Sequence, residues 1–176
     1  MTELSIREGT AANVPALHCL IESAYRGEAS RAGWTTEADL LDGQRTDPDD
    51  LADILADPKQ ALLSAWRGEG LVGCVLIADR GEGTGYLGML SVSPTLQNGG
   101  VGRALVEAAH AELARRFGAL RVRISVLPRR DTLIAWYERL GYACTGETLP
   151  FPYGDPRFGL PKRDDLFFLV LERPLQ

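Results

Sequence analysis

A glycine-rich turn at residues 97–103 is the part of the sequence best suited to bind a charged ligand. The run Gln97-Asn98-Gly99-Gly100-Val101-Gly102-Arg103 leads directly into a stretch with helical periodicity. Glycine accepts positive φ angles and has no Cβ, so successive main-chain N–H groups can converge on one point. The helix adds its unpaired N–H groups and the positive end of its dipole. The run predicts a phosphate-binding turn with Arg103 as an added charge, although an ordinary loop before a helix can have the same composition.

Other binding chemistries find little support in the sequence. No G-x-x-x-x-G-K-[ST] run occurs, so this type of nucleotide-binding loop is excluded. The three cysteines and two histidines lack the spacings of a zinc site, and an odd number of cysteines disfavours a disulfide framework. We therefore expect no metal.

The composition is that of a soluble globular protein. With 176 residues, 45% hydrophobic and 24% charged, the chain 1–176 is expected to form a single domain. The net charge of -5 disfavours nucleic acid as a partner and mildly favours cationic partners. The polar N-terminus is unlike a signal peptide, and no apolar stretch is long enough to cross a bilayer. We expect a cytoplasmic protein with no membrane partner.

Sequence periodicity predicts the elements that must position the turn. Asn13 and Asp131 are predicted to cap two helices, and Gly118 and Gly141 to end two. The alternation of residues 121–126 is typical of a strand with one buried face. The order indicates an α/β fold around a mostly antiparallel sheet. Strands are predicted at 5–7, 61–67, 71–79, 86–92, 121–126, 142–147 and 166–172, and helices at 13–24, within 26–47, and at 49–56, 101–117 and 131–140.

Two ordered motifs resemble those of the GNAT superfamily of N-acetyltransferases. The first is Leu90-Ser91-Val92-x-Pro94-x-x-Gln97-x-x-Gly100-x-Gly102 followed by a helix, and the second is Ile134-Ala135-Trp136-Tyr137-Glu138-Arg139-Leu140-Gly141-Tyr142. Together with the opening Ile6-Arg7-x-x-Thr10 and the element order, the resemblance covers nearly the whole chain.

The resemblance implies a GNAT-like fold with a mixed, mostly antiparallel sheet of about six to seven strands and about four flanking helices. The sheet is splayed, and acetyl-CoA, the co-substrate, lies in the opening. Arg130 stands where many family members carry Asn, and either a pantetheine contact is lost or Arg130 reaches a CoA phosphate. The cofactor-binding residues implied are Leu90, Ser91 and Val92 for pantetheine, and Gln97, Asn98, Gly99, Gly100, Val101, Gly102 and Arg103 for pyrophosphate.

The activity implied is transfer of the acetyl group of acetyl-CoA to a primary amine of a small molecule or peptide, by direct attack in a ternary complex. Tyr137 would be the general acid that protonates the departing sulfur. Its helical spacing from Leu133 and Leu140 is also typical of an aromatic residue in the core. A catalytically silent acyl-CoA-binding domain, acting as a sensor or scaffold, is the alternative.

The general base is an open question at the level of sequence. An alkylammonium has a pKa of ~10.4, so its proton must be removed before attack. Glu37, in a segment predicted as helical at 34–38, ranks above Glu82, which precedes the strand 86–92. A lone Glu is usually a solvated surface residue, and deprotonation through water is the rival explanation. The aromatic excursion 151–159 is predicted to be a wall of the acceptor pocket or a contact in a homodimer.

Overall fold

A computed structural model describes residues 2–33 and 36–175 and confirms the mixed α/β fold. Seven of its strands form one sheet, and the other two form a small separate pair. The strands are β1 (Leu4–Glu8), β2 (Leu41–Asp42), β3 (Gln60–Arg67), β4 (Gly70–Asp79), β5 (Thr84–Val92), β6 (Arg121–Val126), β7 (Ala143–Pro150), β8 (Leu160–Pro161) and β9 (Phe167–Pro174). The helices are α1 (Val14–Tyr25), α2 (Gly27–Ser30), α3 (Pro48–Ala56), α4 (Val101–Phe117) and α5 (Asp131–Arg139).

The main sheet opens between its two central strands. Its order is β1-β3-β4-β5-β6-β9-β7, and β5 and β6 are its parallel pair. These two strands pair only from Thr84↔Arg121 to Tyr86↔Arg123. Beyond Tyr86 they diverge, which leaves a gap between the second half of β5 and the end of β6. The predicted splay is thereby confirmed.

A β-bulge redirects β5 next to this gap. Cys74 of β4 pairs with Ser91, whereas Leu76 pairs with Gly88, so β5 has two residues opposite one residue of β4. One of the two, Met89, has a φ of 50°. A bulge bends the strand and increases its local twist, which turns the end of β5 away from β6.

Helices cover both faces of the sheet. The helices α1 and α3 pack on one face, where Leu17, Ile21 and Leu51 are fully buried. The long helix α4 packs on the other face. It lies so close to β4 that a Cβ atom on Gly73 would stand 2.8 Å from a methyl group of Leu105. This close packing fixes the start of α4 beside the end of β5.

Several local predictions differ from the structure. Asn13 stands at the start of α1, but its side chain accepts a hydrogen bond from the Thr10 N–H instead of capping the helix. Arg130, not Asp131, occupies the N-cap position of α5. Glu37 lies in a turn, where its carbonyl accepts from the N–H groups of Leu40 and Leu41, so the helical prediction for 34–38 is wrong there. Trp34 and Thr35 of that segment lie outside the described residues.

Candidate active site

The glycine-rich turn has left-handed backbone at two positions. Asn98 has a φ of 72° and Gly100 a φ of 84°, and α4 begins directly after Gly100. Gly99 and Gly102 do not have positive φ, so only one of the three glycines uses the freedom predicted for it. A Cβ atom on Gly100 would meet nothing within 4 Å. The turn and the first N–H groups of α4 thus border open space, as an anion cradle requires.

That open space is a cleft of about 290 Å³, called here the turn cleft. Four of the predicted cofactor residues, Ser91, Gly99, Val101 and Arg130, do not line it. Ser91 is fully buried and donates its hydroxyl to the Met89 carbonyl, and Val101 is buried in the core. The residues that line the turn cleft are Tyr25, Leu90, Val92, Gln97, Asn98, Gly100, Gly102, Arg103, Leu133, Trp136 and Tyr137.

Main-chain groups of β5 in the turn cleft already have partners within the chain. The Tyr25 hydroxyl donates to the Leu90 carbonyl, and the Gln97 side-chain amide donates to the Val92 carbonyl at 3.1 Å. Gln97 thus supports the strand end from inside the turn. Arg103 is exposed at the rim, where its guanidinium lies 3.0 Å from a carboxylate oxygen of Glu107.

A narrow passage of about 50 Å³, the throat, runs through the gap between β5 and β6. It shares lining residues with the turn cleft on one side and with a second cavity of about 370 Å³ on the other. We call the second cavity the arginine chamber. The throat shares Tyr25, Leu90, Leu133 and Tyr137 with the turn cleft, and Glu37, Arg45, Tyr86, Gly88, Met89 and Ser125 with the arginine chamber. A thioester bound in the throat would meet a molecule in the chamber.

Tyr137 lies where the turn cleft joins the throat. Its side chain is 5% exposed, and its ring makes edge contacts with Trp136 and Tyr142. The pKa of the Tyr137 hydroxyl is raised well above its usual value, mainly because the group is buried. The hydroxyl is therefore protonated at neutral pH. A protonated hydroxyl on the path of the reacting group is suited to proton donation.

Glu37 is buried at the throat between two arginines. One carboxylate oxygen pairs with Arg26, and the other lies 2.9 Å from a guanidinium nitrogen of Arg130. Burial acts to raise the pKa of Glu37, but Arg130, Arg26 and Arg45 outweigh it and hold the pKa below its ordinary value. Both oxygens are therefore engaged, and the carboxylate has little tendency to accept a proton.

Arg130 does not lie at the glycine-rich turn. It lines the throat, where it pairs with Glu37, and its guanidinium stands 5.9 Å from the centre of the Tyr25 ring. The expectation that Arg130 reaches a CoA phosphate is not supported by this placement. Its position beside Tyr25 and Tyr137 favours the thioester end of a bound acetyl-CoA instead.

Glu82 is not brought to the throat. It is exposed in the turn before β5, at the opposite end of the strand from Leu90, and lines a separate surface groove. The aromatic excursion, in contrast, reaches the site. Phe151, Pro152 and Phe158 line the arginine chamber, as the prediction of an acceptor-pocket wall requires.

Several residues of the site were missed from sequence alone. Tyr25 and Arg26 follow the apolar face of α1, and Arg45 and Arg80 are single arginines in polar segments. An arginine next to a buried helical face was the available signal for Arg26, because charged residues are almost never buried without a partner. Nothing local distinguishes Arg45 or Arg80 from surface arginines.

A hydrogen-bonded chain supports Tyr137 from behind. Arg173 donates to His110 Nδ1 at 2.8 Å, which leaves His110 Nε2 to donate to the Tyr142 hydroxyl at 2.6 Å. Burial, with Arg173 beside it, lowers the pKa of His110 to about 4. The imidazole is therefore neutral at pH 7 and holds Tyr142 against the Tyr137 ring.

The described residues form neither a cluster of metal ligands nor a helix that could span a membrane. Residues 2–33 and 36–175 contain no group of three or more His, Cys, Asp or Glu side chains arranged to hold a metal ion. Within the same ranges, no helix has the length and apolarity to cross a membrane.

Comparison with known sequences identifies related proteins. The profile of the acetyltransferase (GNAT) family matches residues 21–142. A protein of Azospirillum brasilense named IAA acetyltransferase is 35% identical over 123 residues, which cover 69% of this chain and 72% of that protein.

Solved structures share the fold. The ribosomal-protein-S18-alanine N-acetyltransferase of Escherichia coli superposes with a TM-score of 0.72 at 16% identity, over 99% of this chain and 95% of the other. The acetyltransferase yncA of Salmonella typhimurium, solved with its cofactor acetyl-CoA, has a TM-score of 0.72 at 17% identity with the same coverage. At these identities the likeness concerns the fold.

Proposed function

This chain belongs to the GNAT family of acetyltransferases and is an acetyl-CoA-dependent acyltransferase, and we propose that it acetylates a primary amine of a small molecule or peptide. The observation that carries the proposal is that the throat adjoins the turn cleft on one side and the arginine chamber on the other, as the shared lining residues show. This arrangement lets two substrates approach from opposite sides and meet in the gap of the sheet.

The turn cleft suits acetyl-CoA. The N–H groups at the start of α4 and the Gly100 turn would hold the pyrophosphate, since converging N–H groups favour anions. Arg103 at the rim adds a positive charge. The apolar side chains of Leu90, Val92 and Trp136 would cover the pantetheine arm on its way to the throat.

The reaction needs no covalent enzyme intermediate. The amine nitrogen attacks the thioester carbonyl carbon, a C–N bond forms, and the C–S bond breaks. Holding both reactants in the throat supplies much of the acceleration through proximity. The CoA sulfur leaves with the bonding electron pair and takes a proton from the Tyr137 hydroxyl.

Tyr137 is matched to this task by its surroundings. Burial raises the pKa of its hydroxyl, and it would also raise the pKa of a CoA thiol formed at the same buried place. The two groups therefore stay close in proton affinity, which general acid catalysis requires.

Glu37 is better suited to position Arg26 and Arg130 than to act as the base. Its oxygens are engaged by both arginines and its pKa is lowered. We propose that water in the arginine chamber accepts the amine proton, and that Glu82 takes no part in the reaction.

An amine panel tests the proposal. Release of free CoA and formation of the acetylated amine would be followed by thiol titration and mass spectrometry, with each amine at saturating acetyl-CoA. We expect amine-dependent CoA release. Acetyl-CoA that raises Tm without turnover on any amine, peptide amines included, would instead identify a silent acyl-CoA-binding domain.

A further inference from the structure

We propose that the acceptor amine also carries an anionic group, a carboxylate or a phosphonate, that binds to Arg45 in the arginine chamber. The inference rests on the proposed function and names the class of acceptor. It depends on the charges that line the chamber, on the two arginines there that make no ion pair with any described residue, and on the apolar side chains that complete the lining.

The chamber lining has an excess of positive charge. Its ionisable side chains are Arg26, Arg45, Arg80 and Glu37. The carboxylate is already shared between Arg26 and Arg130. The Nε–H of Arg26, a residue only 6% exposed, has no hydrogen-bond partner in the described part of the chain. One negative charge therefore faces several guanidiniums, and the chamber favours an anion over a second cation.

Arg45 and Arg80 have no ion pair among residues 2–33 and 36–175. Arg45 is half-buried, and its guanidinium lies 5.3 Å from the centre of the Tyr25 ring. Arg80 is exposed and lies 4.6 Å from the centre of the Tyr86 ring. Stacking on a ring holds a guanidinium in place while its N–H groups stay available for a planar acceptor such as a carboxylate.

Arg45 is the better placed of the two for the reacting molecule. It lines both the throat and the chamber, whereas Arg80 lines the chamber and the surface groove of Glu82 but not the throat. It does not line the turn cleft, so it is separate from the phosphates of acetyl-CoA. A carboxylate bound to Arg45 would place a nearby amine at the throat, which suits an amine and an anion carried on the same or adjacent carbon atoms.

Apart from Glu37, the acidic residues near Arg45 do not line the chamber. Asp50, Asp53 and Asp57 line a neighbouring groove that Arg45 also borders, and the Glu22 carboxylate accepts a hydrogen bond from the Arg45 main-chain N–H. The net charge of -5 therefore does not describe the chamber. A polycationic acceptor would be attracted to the surface as a whole but repelled where the amine must bind.

The rest of the chamber is apolar. Phe151, Phe158 and Phe168 line it with Leu149 and Leu127. A cavity of about 370 Å³ with these walls accommodates the body of an apolar amino acid. The occupant we infer has three parts, namely an amine at the throat, an anion on Arg45 and an apolar group against the phenylalanines.

Matched acceptors test this inference. The first set is L-phenylalanine, its phosphonate analogue, L-phenylalaninamide and 2-phenylethylamine, and a second set uses methionine and methioninamide. Rates are compared per concentration of unprotonated amine, because the amines differ in pKa. We expect kcat/KM to be about 10- to 100-fold higher for the anionic members, the usual effect of one charged hydrogen bond. The ratio of carboxylate to phosphonate identifies the preferred anion.

Arginine variants locate the anion. Arg45→Gln should raise the KM of the anionic amines more than that of their uncharged partners, so that the ratio of kcat/KM between the two kinds of acceptor falls about 10-fold or more. Arg80→Gln should have a smaller effect. Arg115→Gln is the matched control, since it removes the same charge from an exposed position on α4. Equal losses for charged and uncharged acceptors in Arg45→Gln would overturn the role of Arg45.

A binding measurement separates this inference from the proposed function. Calorimetric titration of the CoA complex with N-acetylphenylalanine and N-acetyl-2-phenylethylamine needs no turnover. Tighter binding of the carboxylate that depends on Arg45, without acetylation of any amine, would support the chamber's anion preference and contradict the catalytic proposal. Acetylation with no preference for anionic acceptors would support the catalytic proposal and contradict the anion preference of the chamber.

Discussion

The turn cleft and the arginine chamber lie on two sides of one gap in the sheet, and they differ in what lines them. The cleft depends on main-chain N–H groups, a left-handed Gly100 and apolar side chains. The chamber depends on guanidinium groups and aromatic rings. Most of the cleft comes from the stretch 90–103 and from α5, whereas the chamber collects residues from 26 to 168.

This difference fits a protein in which each of the two regions recognises a different substrate. Main-chain donors are present whatever the side chains are, so a site built on them can stay the same while the rest of the sequence varies. Charged and aromatic side chains recognise one class of molecule, and a single substitution can change that class. We infer that the cleft sets the donor and the chamber sets the acceptor.

The largest expected effect is on the cleft, from Gly102→Leu. The side chain would extend from a position 3.6 Å from Trp136 and Val92 into the space for acetyl-CoA. We expect no rise in Tm with acetyl-CoA, where the wild-type protein gains ~2.7 kcal/mol at 100 times its Kd. Ala111→Leu, on the exposed side of α4, is the control and should keep the shift. A full shift in Gly102→Leu would show that acetyl-CoA binds elsewhere.

The next effect is at the junction of the two regions, from Tyr137→Phe. Loss of the proton donor should lower kcat by about 100-fold with little change in KM for acetyl-CoA. The measurement is a steady-state rate profile from pH 6 to 10. Tyr142→Phe keeps the ring beside Tyr137 and removes only a hydroxyl that supports it, so kcat should fall far less than in Tyr137→Phe. Unchanged turnover in Tyr137→Phe across this range would leave the residue as a core aromatic only.

A third prediction concerns stability on the chamber side. Glu37→Gln leaves the buried guanidiniums of Arg26 and Arg130 without their carboxylate, and we expect a loss of about 3 kcal/mol of unfolding free energy by urea titration. Glu112→Gln, which breaks an exposed pair with Arg115, should cost less than about 1 kcal/mol. If Glu37 only positions the arginines, as we propose, the acidic limb of the kcat/KM profile should lie at the same pH in Glu37→Gln as in the wild-type protein. Loss of that limb would restore Glu37 as the base.

The smallest expected effect concerns His110, which belongs to the hydrogen-bonded chain that supports Tyr137. The pKa of His110 is lowered to about 4 in the folded protein, so between that value and its ordinary 6.5 the unfolded chain binds more protons. The stabilisation is complete above pH 6.5 and decreases as the pH falls toward 4. We expect Tm to fall between pH 7 and 5, and this fall to be shallower in His110→Gln. An identical slope in the variant would mean that other groups cause it.

Local patterns predicted most of the elements around the turn cleft. The bounds of α4 and β6 agree with the prediction, and Gly118 ends α4 with a φ of 63°. Such features depend on residues a few positions apart, through the period of apolar side chains and the demands of helix ends. The prediction of a positive φ at Gly102 was wrong because α4 begins at Val101, so Gly102 already has helical backbone.

The chamber could not be predicted from such patterns. Glu37 was selected as a carboxylate near the acceptor, but its pairing with Arg130, 93 residues away, decides that it is ionised and engaged. Arg45 and Arg80 have nothing in their neighbouring sequence that separates them from surface arginines. Their significance comes from their place in the chamber lining and from the absence of an ion pair within the described residues, which only the packed chain reveals.

The amino-acid sequence was sufficient to determine the donor side of this protein, from the glycine-rich turn to the family and the fold. The tertiary structure decided the acceptor side, including the burial of Glu37, the remoteness of Glu82 and the positive lining of the chamber. The physical reason is the distance along the chain over which the deciding interactions act. Main-chain geometry follows from neighbours along the chain, whereas the protonation and pairing of a side chain follow from whichever charges folding brings within a few ångströms.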